Sequence, residues 1–286
     1  MKVTRVAGAL GGLVDGVNLA DPSTDFAAVR ALLLEHEVIF FRDQFLTPEQ
    51  QIELARRFGE PSIFPVARLL GASEPTVTVI EDTPENPNVA DSWHTDVTWI
   101  ATPPTAAILC MDVIPEYGGD TLWASATRAF DTLSDPMKTM LRGLTATHDN
   151  TSFVDALLKK SGEARRPLAD QLRTNYPPVI HPLIRTHPET GRSALFFADG
   201  FLRRINELSE GESRAMIDFL VQHVSNPALQ CRWSWRDGDV AIWDERSTLH
   251  RAAADHAGQY RRIRRIEIDG DRPYYDPAGR SLAHLG

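Results

Sequence analysis

Short β-rich runs separated by turn residues recur along the chain, and they constrain its fold more than any other feature. Seven of them are TAAILCMDVI (105–114), TLWAS (121–125), VIHPLIRTH (179–187), SALFFAD (193–199), LQCRWSW (229–235), DVAIWD (239–244) and RRIRRIEID (261–269). Turn segments such as PETGR and RDGD lie between the runs. Many short strands predict a mainly β protein, a sheet sandwich or barrel with helical additions.

Helical patterns are fewer and are expected mostly near the beginning of the chain. The predicted helices are TDFAAVRALLLEHE (24–37), TPEQQIELARRFG (47–59), SATRAFDTLSDPMKTMLRGL (125–144) and SEGESRAMIDFLVQHV (209–224). Thr47 and Ser209 are predicted N-caps, Gly59 a terminator, and Pro136 a point where the third helix breaks or restarts. The polar stretch 148–178 is interpreted as an insertion, a mobile lid.

Composition limits the classes of partner. No repeat or linker divides the 286 residues, so 1–286 is interpreted as one domain. The 30 Lys+Arg against 39 Asp+Glu give a formal net charge of −9, which disfavours nucleic acid and anionic membranes as partners. No uncharged apolar run is long enough to predict a membrane span. Two cysteines, Cys110 and Cys231, make no disulfide framework, so we expect a cytoplasmic protein.

The decapeptide DSWHTDVTWI (91–100) places two ionisable side chains in a run that predicts a strand. Residues two apart on a strand face the same side, so His94 and Asp96 would lie next to each other. For this pair alone, a surface strand facing water is at least as good an interpretation. His250, beyond the predicted strand DVAIWD, is the candidate third ligand. Two imidazoles and one carboxylate are typical of non-haem Fe(II) oxygenases, because they leave three coordination positions open.

The remaining histidines lack this pattern. His187 and Glu189 form a second H-x-acid pair, but Pro188 separates them and Thr-Gly follows, which predicts a hairpin tip and no metal site. His148 and His181 have no matching acidic partner at strand spacing. We therefore expect neither of them to bind metal.

Five sequence blocks occur in the order found in a known family. They are WHTDVTW (93–99), GGDTLWAS (118–125), HPLIRTHPETGRSALFFADGF (181–201), IWDERSTLHRA (242–252) and an arginine-rich last strand. With GGLVDGVNLAD near the start and GDRP (270–273) near the end, they resemble the taurine dioxygenase (TauD/TfdA) family of Fe(II)/2-oxoglutarate-dependent dioxygenases. The resemblance implies a double-stranded β-helix, a relative of the jelly roll, that uses Fe(II), 2-oxoglutarate and dioxygen to hydroxylate a substrate. It also implies the iron ligands His94, Asp96 and His250.

The resemblance assigns further roles around these ligands. Arg261, eleven positions after His250, matches the arginine that binds the distal carboxylate of 2-oxoglutarate, and a guanidinium fork suits a carboxylate. Thr121 matches the hydroxyl that supports the same carboxylate. Arg265 lies four positions beyond Arg261 and matches the arginine that holds the anionic head of the primary substrate. Without the family, a basic surface strand would be the competing interpretation of these arginines.

The resemblance also bears on the substrate. Phe201 and Phe153 match positions that line the substrate pocket. Taurine-using members place polar side chains ahead of the HxD motif, whereas Phe64, Ala67 and Ala90 fall about there in this chain. Burying an ammonium group against such residues is unfavourable, so taurine is disfavoured. We expect one anionic head on a more apolar body: a sulfonate, a sulfate ester, or an aryloxy or alkyl carboxylate.

Two interpretations from other classes compete with an oxygenase. Two histidines and a carboxylate also suit zinc, so a non-oxygenase metal-binding barrel, such as a zinc hydrolase or a cupin-like binder, is the alternative. Such a protein would have no use for Arg261 and Thr121. A scaffold domain with incidental polar residues would not explain five blocks in one order. The family resemblance further implies a homo-oligomer, a dimer or tetramer.

Overall fold

The computed structural model of the protein describes residues 1–84, 90–256 and 258–281. Its strands are β1 (Lys2–Arg5), β2 (Gly12–Asp15), β3 (Val38–Phe41), β4 (Thr78–Asp82), β5 (Ala106–Val113), β6 (Thr121–Ser125), β7 (Thr145–His148), β8 (Val179–Pro182), β9 (Ile184–Thr186), β10 (Ser193–Leu195), β11 (Leu202–Ile205), β12 (Gln230–Trp233), β13 (Val240–Asp244), β14 (Thr248–Ala252) and β15 (Arg261–Ile268). Its α-helices are α1 (Phe26–His36), α2 (Pro48–Arg56), α3 (Pro65–Leu69), α4 (Ala126–Asp131), α5 (Asp135–Leu141), α6 (Thr151–Ser161), α7 (Arg166–Asn175) and α8 (Glu210–Val224). Short 3-10 helices cover Gly162–Arg165 and Pro227–Leu229.

A seven-stranded sheet, in the order β1-β2-β3-β13-β5-β15-β4, forms one layer of the fold. Smaller sheets have the orders β12-β6-β14, β10-β9 and β11-β7-β8. Aromatic side chains join the large sheet to the sheet that contains β6. Phe40 of β3 stacks on Trp233 of β12 with ring centroids 4.1 Å apart, and it meets Trp123 of β6 edge-on at 5.3 Å. The two layers are therefore held together by a closely packed apolar interior.

Strand β5 is buried on both faces of the large sheet. Leu109 and Met111 pack into the aromatic interior, whereas Ile108 and Cys110 pack into the cluster that α1 and α2 cover on the outside. This double burial explains why its sequence is a nearly continuous apolar run and does not alternate. The mainly β fold with helical additions is thus the predicted one.

Helix starts follow the predicted capping signals. Thr47 and Ser209 each form a capping box with the side chain three residues later. Pro136 lies in the first turn of α5, so the predicted interruption separates two helices, α4 and α5. Helix α2 ends at Arg56, three residues before the predicted terminator Gly59. These predictions are confirmed to within a few residues.

The prediction of a strand over 91–100 is wrong. His94 makes an isolated bridge, and residues 96–99 form turns. Val97 has a φ of +52°, in the left-handed region, which interrupts any extended backbone. Trp93 packs into one apolar cluster, while Val97 and Trp99 pack into another. The β-branched and aromatic residues here are buried by tertiary packing and not by a strand.

The prediction that most helices lie near the beginning of the chain is wrong. Helices α6 and α7 occupy most of the polar stretch 148–178, and α8 lies beyond it. The stretch is polar overall, but Leu168, Ala169 and Leu172 of α7 form a narrow buried face. A single apolar stripe of this kind is enough to dock a surface helix.

We expect the substitution Gly270→Ala to destabilise the fold. A Cβ at Gly270 would lie 1.9 Å from the carbonyl oxygen of Pro103 and 2.9 Å from the nitrogen of Thr105. Backbone atoms cannot rotate away, so the free energy of unfolding should fall by about 3 kcal/mol. The control is Gly211→Ala in α8, where nothing lies within 4 Å of the added carbon. Urea denaturation that gave both variants the wild-type stability would contradict this account.

Candidate metal centre

A backbone bridge holds His94 against His250. The N–H of His94 donates to the carbonyl of His250 (3.1 Å), and the N–H of His250 donates to the carbonyl of His94 (2.8 Å). His250 lies on β14, where it pairs with Trp123 of β6, so one of the two histidines belongs to a sheet. The two imidazole rings lie with centroids 4.2 Å apart. The sequence pattern does not predict β14 as a separate strand.

Asp96 reaches the histidines through the turn that begins at its own position. Its backbone N–H donates to Oε2 of Glu245 at 3.0 Å. The carboxylate Oδ1 lies 3.8 Å from Nε2 of His94, and Oδ2 lies 3.8 Å from Nε2 of His250. One ligand atom from each of the three residues lies within 4.8 Å of the other two. The three predicted ligands therefore converge as expected. A turn brings Asp96 to the histidines, and not the alternation of side chains along a strand.

The donor set fits a divalent metal ion. Nδ1 of His94 lies 2.8 Å from the carbonyl oxygen of Ser92, to which it can donate, leaving Nε2 as a lone-pair donor. Oδ2 of Asp96 is buried, and Nη1 of Arg265 lies 3.0 Å from it while donating its hydrogen bond to Oδ1. The carboxylate keeps lone pairs that face the two imidazoles, so it can also bind a cation.

Electrostatics keep Asp96 and His250 in the forms that bind metal. Burial alone would raise the pKa of Asp96, but the guanidinium of Arg265, followed by the nearby His250 and His94, lowers it to about 2. Burial, followed by the neighbouring His94, lowers the pKa of His250 well below its usual range. The site therefore presents an ionised carboxylate and a neutral imidazole at pH 7.

One pocket contains the histidines together with the predicted 2-oxoglutarate residues. Thr121, Arg261 and Ala90 line the same pocket as His94 and His250. Arg261 is almost completely buried, and its Nη1 lies 3.5 Å from Oδ2 of Asp82. The Nε of Arg261 has no hydrogen-bond acceptor among the described residues. A buried guanidinium with spare donors can bind an incoming carboxylate.

Arg265 also lines this pocket, but carboxylates surround it. Its Nη1 donates to Oδ1 of Asp96 at 3.0 Å, and its Nη2 lies 2.8 Å from Oε1 of Glu267. Burial would lower the pKa of Arg265, yet the charges of Asp96 and Glu267 outweigh it and raise that pKa. Nε of Arg265 is buried without an acceptor among the described residues. The assignment of Arg265 to the substrate stays a prediction.

The aromatic residues expected in the substrate pocket lie beside it. Phe64, Phe153 and Phe201 pack on an apolar cluster built around Val97 and Trp99, and they are not among the pocket-lining residues. Helices α3, α6 and α7 supply much of that cluster. Because Val97 follows Asp96 directly, the cluster adjoins the metal centre.

Sequence reasoning missed three buried acidic residues around the centre: Asp82, Glu245 and Glu267. Glu245 stands in the polar turn of IWDERSTLH, and Glu267 lies two positions after Arg265 on the same face of β15. Burial raises the pKa of both Glu245 and Glu267. Because alternate residues of a strand share a face, the position of Glu267 two residues after Arg265 could have predicted that it lies near the centre. No feature of the neighbouring sequence distinguishes Glu245 from an exposed turn residue.

Three further histidines, His148, His181 and His187, have structural partners. His187 caps the β9–β10 hairpin, as predicted for its tip, and its Nε2 lies 3.1 Å from Oδ2 of Asp244. Nδ1 of His148 lies 2.9 Å from the hydroxyl of Thr98, while Nε2 of His181 lies 2.9 Å from the carbonyl oxygen of Thr98. Burial lowers the pKa of His148 to about 3 and that of His181 to about 4.

These two buried histidines make the fold sensitive to acid. In the unfolded chain a histidine takes up a proton below about pH 6.5, whereas His148 stays neutral in the fold down to about pH 3. Stability is therefore complete above pH 6.5 and is lost as the pH falls through this window. Between pH 7 and 5 each buried histidine should account for a loss of about 2 kcal/mol. In urea denaturation, His148→Gln should lose about 2 kcal/mol less than wild type; equal losses would contradict this explanation.

The fold and the site together define a class. A β-sandwich in which two imidazoles of a pocket converge with one carboxylate has the 2-His-1-carboxylate arrangement of non-haem metal oxygenases. Within the described residues, no helix is both long and apolar enough to cross a membrane.

Comparison with known proteins defines the family. Residues 2–266 match the model of the taurine catabolism dioxygenase TauD, TfdA family. The chain belongs to this family, and it is therefore an enzyme, a dioxygenase with the expected jelly-roll fold. A taurine dioxygenase structure from Burkholderia xenovorans superposes with a TM-score of 0.79 at 34% identity, covering 98% of this chain and 94% of that one.

Two curated relatives extend over nearly the whole chain. An alpha-ketoglutarate-dependent sulfate ester dioxygenase of Pseudomonas putida is 35% identical, over 96% of this chain and 91% of the relative. An alkylsulfatase of Acinetobacter baylyi is 32% identical, over 95% of this chain and 86% of the relative.

Proposed function

We propose that the protein is an Fe(II)/2-oxoglutarate-dependent dioxygenase that hydroxylates a small organic substrate with one anionic head. The observation that carries this proposal is the convergence of His94, Asp96 and His250 at a pocket that the two histidines line together with Arg261 and Thr121. Such an enzyme needs its metal ligands and a pair of residues that bind a carboxylate in the same place. A zinc hydrolase or a cupin-like binder would need the ligands but not the arginine and the hydroxyl.

The three ligands would hold ferrous iron and leave three positions for exchangeable groups. With 2-oxoglutarate and dioxygen bound, such a centre supplies hydroxylation of a substrate C–H bond, coupled to conversion of 2-oxoglutarate into succinate and carbon dioxide. The contribution of the chain is to fix the ligand atoms, to keep Asp96 ionised, and to exclude water from a buried pocket.

Arg261 and Thr121 would bind the distal carboxylate of 2-oxoglutarate. Both are buried, and Thr121 Oγ1 accepts the indole N–H of Trp235 at 3.0 Å, which fixes the position of that hydroxyl oxygen. Its own proton is then free to be donated to a carboxylate. The attraction between a guanidinium and an anion is far stronger inside a low-dielectric pocket than it is in water.

The substrate class follows from what surrounds the pocket. Arg265 would attract an anionic head through its unpaired Nε, whereas Ala90 and the nearby Phe64 offer no acceptor for an ammonium group. Relatives named for sulfate esters and alkyl sulfates agree with an apolar body on an anionic head. We therefore favour a sulfate ester, a sulfonate, or an aryloxy or alkyl carboxylate, and we disfavour taurine.

Several features of the whole enzyme remain proposals. We expect one domain over 1–286, in which the segment 148–178 with α6 and α7 acts as a lid beside the apolar cluster. We also expect a cytoplasmic homo-oligomer, a dimer or tetramer. Light scattering of the purified enzyme tests the assembly.

Substrate-dependent oxygen uptake tests the reaction class and the substrate together. The panel is hexyl sulfate, hexanesulfonate, a 2-aryloxypropionate and taurine, each with Fe(II) and with or without 2-oxoglutarate. We expect uptake that requires 2-oxoglutarate and is fastest with a member that has an apolar body. Uptake independent of 2-oxoglutarate would contradict the reaction class, and a clear preference for taurine would contradict the substrate class.

A further inference from the structure

The turn that carries Asp96 depends on an anchor outside its own sequence. The backbone N–H of Asp96 is buried, and its acceptor is Oε2 of Glu245 at 3.0 Å. The next residue, Val97, has a left-handed φ of +52°, an unfavourable conformation for a β-branched side chain. Such a turn persists only where neighbouring groups hold it in place.

Glu245 is itself held by two hydrogen bonds. Its Oε1 accepts the indole N–H of Trp243 at 2.6 Å, and its backbone N–H donates to the carbonyl of Thr105 at 3.0 Å. The residue is only 1% exposed. Glu245 follows β13 directly and stands five positions before His250, so one short segment fixes both the second histidine and the backbone of the carboxylate ligand.

We propose that Glu245 is a positioning residue, which holds the Asp96 turn so that its carboxylate faces both imidazoles. This inference rests on the proposed metal centre and goes beyond it, because Glu245 is neither one of the three converging ligands nor a pocket-lining residue. Outer residues that orient metal ligands commonly account for about 10- to 100-fold in metal affinity. Glu245 is expected to act in that range.

The test measures Co(II) affinity anaerobically without 2-oxoglutarate, together with the visible ligand-field bands of bound Co(II). Glu245→Met fills a similar volume but has no acceptor oxygen, so its affinity should fall about 10- to 100-fold with altered bands. Glu245→Gln keeps one acceptor for the Asp96 N–H and should lose less. If the Met variant does not fold, as judged by circular dichroism, Glu245→Ala takes its place.

Asp239→Asn is the matched control. Asp239, at the other end of β13, is also buried and accepts an indole N–H from Trp233 (3.1 Å) and a backbone N–H from Arg236 (2.8 Å). It should change Co(II) affinity less than twofold. Wild-type affinity and bands in Glu245→Met, or equal losses in Glu245→Met, Glu245→Gln and Asp239→Asn, would overturn the inference alone. Failure of the wild type to bind Co(II) better than His250→Ala would overturn the metal centre as well.

Discussion

His94→Ala is expected to abolish 2-oxoglutarate turnover while leaving the fold intact. The substitution removes one of three converging ligand atoms, and even the outer partners of metal ligands account for about 10- to 100-fold. A ligand itself should therefore cost more than about 100-fold in activity. Stability should change little, because the polar ligands are not part of the apolar clusters that hold the sheets together.

The measurement is succinate formation from 2-oxoglutarate, with thermal unfolding as the check on folding. His223→Ala is the control, since Nε2 of His223 lies 2.8 Å from the carbonyl oxygen of Ala129, away from the pocket. Asp96→Ala should lose turnover in the same way as His94→Ala. Turnover at the wild-type rate in either ligand variant would remove that residue from the metal centre.

Arg261→Ala is expected to raise the KM for 2-oxoglutarate by about 10- to 100-fold, since a hydrogen bond to a charged group is worth about 1.5–3 kcal/mol. The KM for the primary substrate should change much less. Arg261→Lys keeps the charge but loses the planar fork, so it should recover only part of the affinity.

Arg262→Ala is the matched control for Arg261. Arg262 is the next residue on β15, is partly exposed, and lies 3.5 Å from Glu81 and from Asp112 on the surface. Its replacement should leave both KM values near those of the wild type. A larger rise in the KM for the primary substrate than for 2-oxoglutarate in Arg261→Ala would mean that the roles of Arg261 and Arg265 have been exchanged.

Local chemistry made some elements predictable from the sequence. The capping boxes at Thr47 and Ser209 and the Pro136 restart depend on neighbouring residues alone, and the structure has them. Runs such as TAAILCMDVI are strands because a sheet buried on both faces needs continuous apolar side chains. The short strands β1, β4, β7 and β11 are partly exposed, and their sequences give no comparable signal.

The candidate site was predictable as a set of residues but not as a geometry. The motif order identified His94, Asp96 and His250, yet the strand expected over 91–100 is a bridge followed by turns. The spacing of apolar residues cannot reveal the left-handed backbone of Val97. That conformation depends on tertiary contacts around the turn, such as the hydrogen bond from the Asp96 N–H to Glu245. Tertiary packing also places Phe64 and Phe201 in the adjoining apolar cluster, although the family resemblance assigns them to the substrate pocket.

Anaerobic addition of Fe(II) and 2-oxoglutarate to the metal-free enzyme tests the central claim most directly. The wild type should develop the weak visible charge-transfer band of an iron-bound 2-oxo acid, saturating at one Fe(II) per chain. The band should be absent in His94→Ala and should require more 2-oxoglutarate in Arg261→Ala. No band in a folded wild-type protein, or an equal band in His94→Ala, would contradict a ferrous centre built from His94, Asp96 and His250.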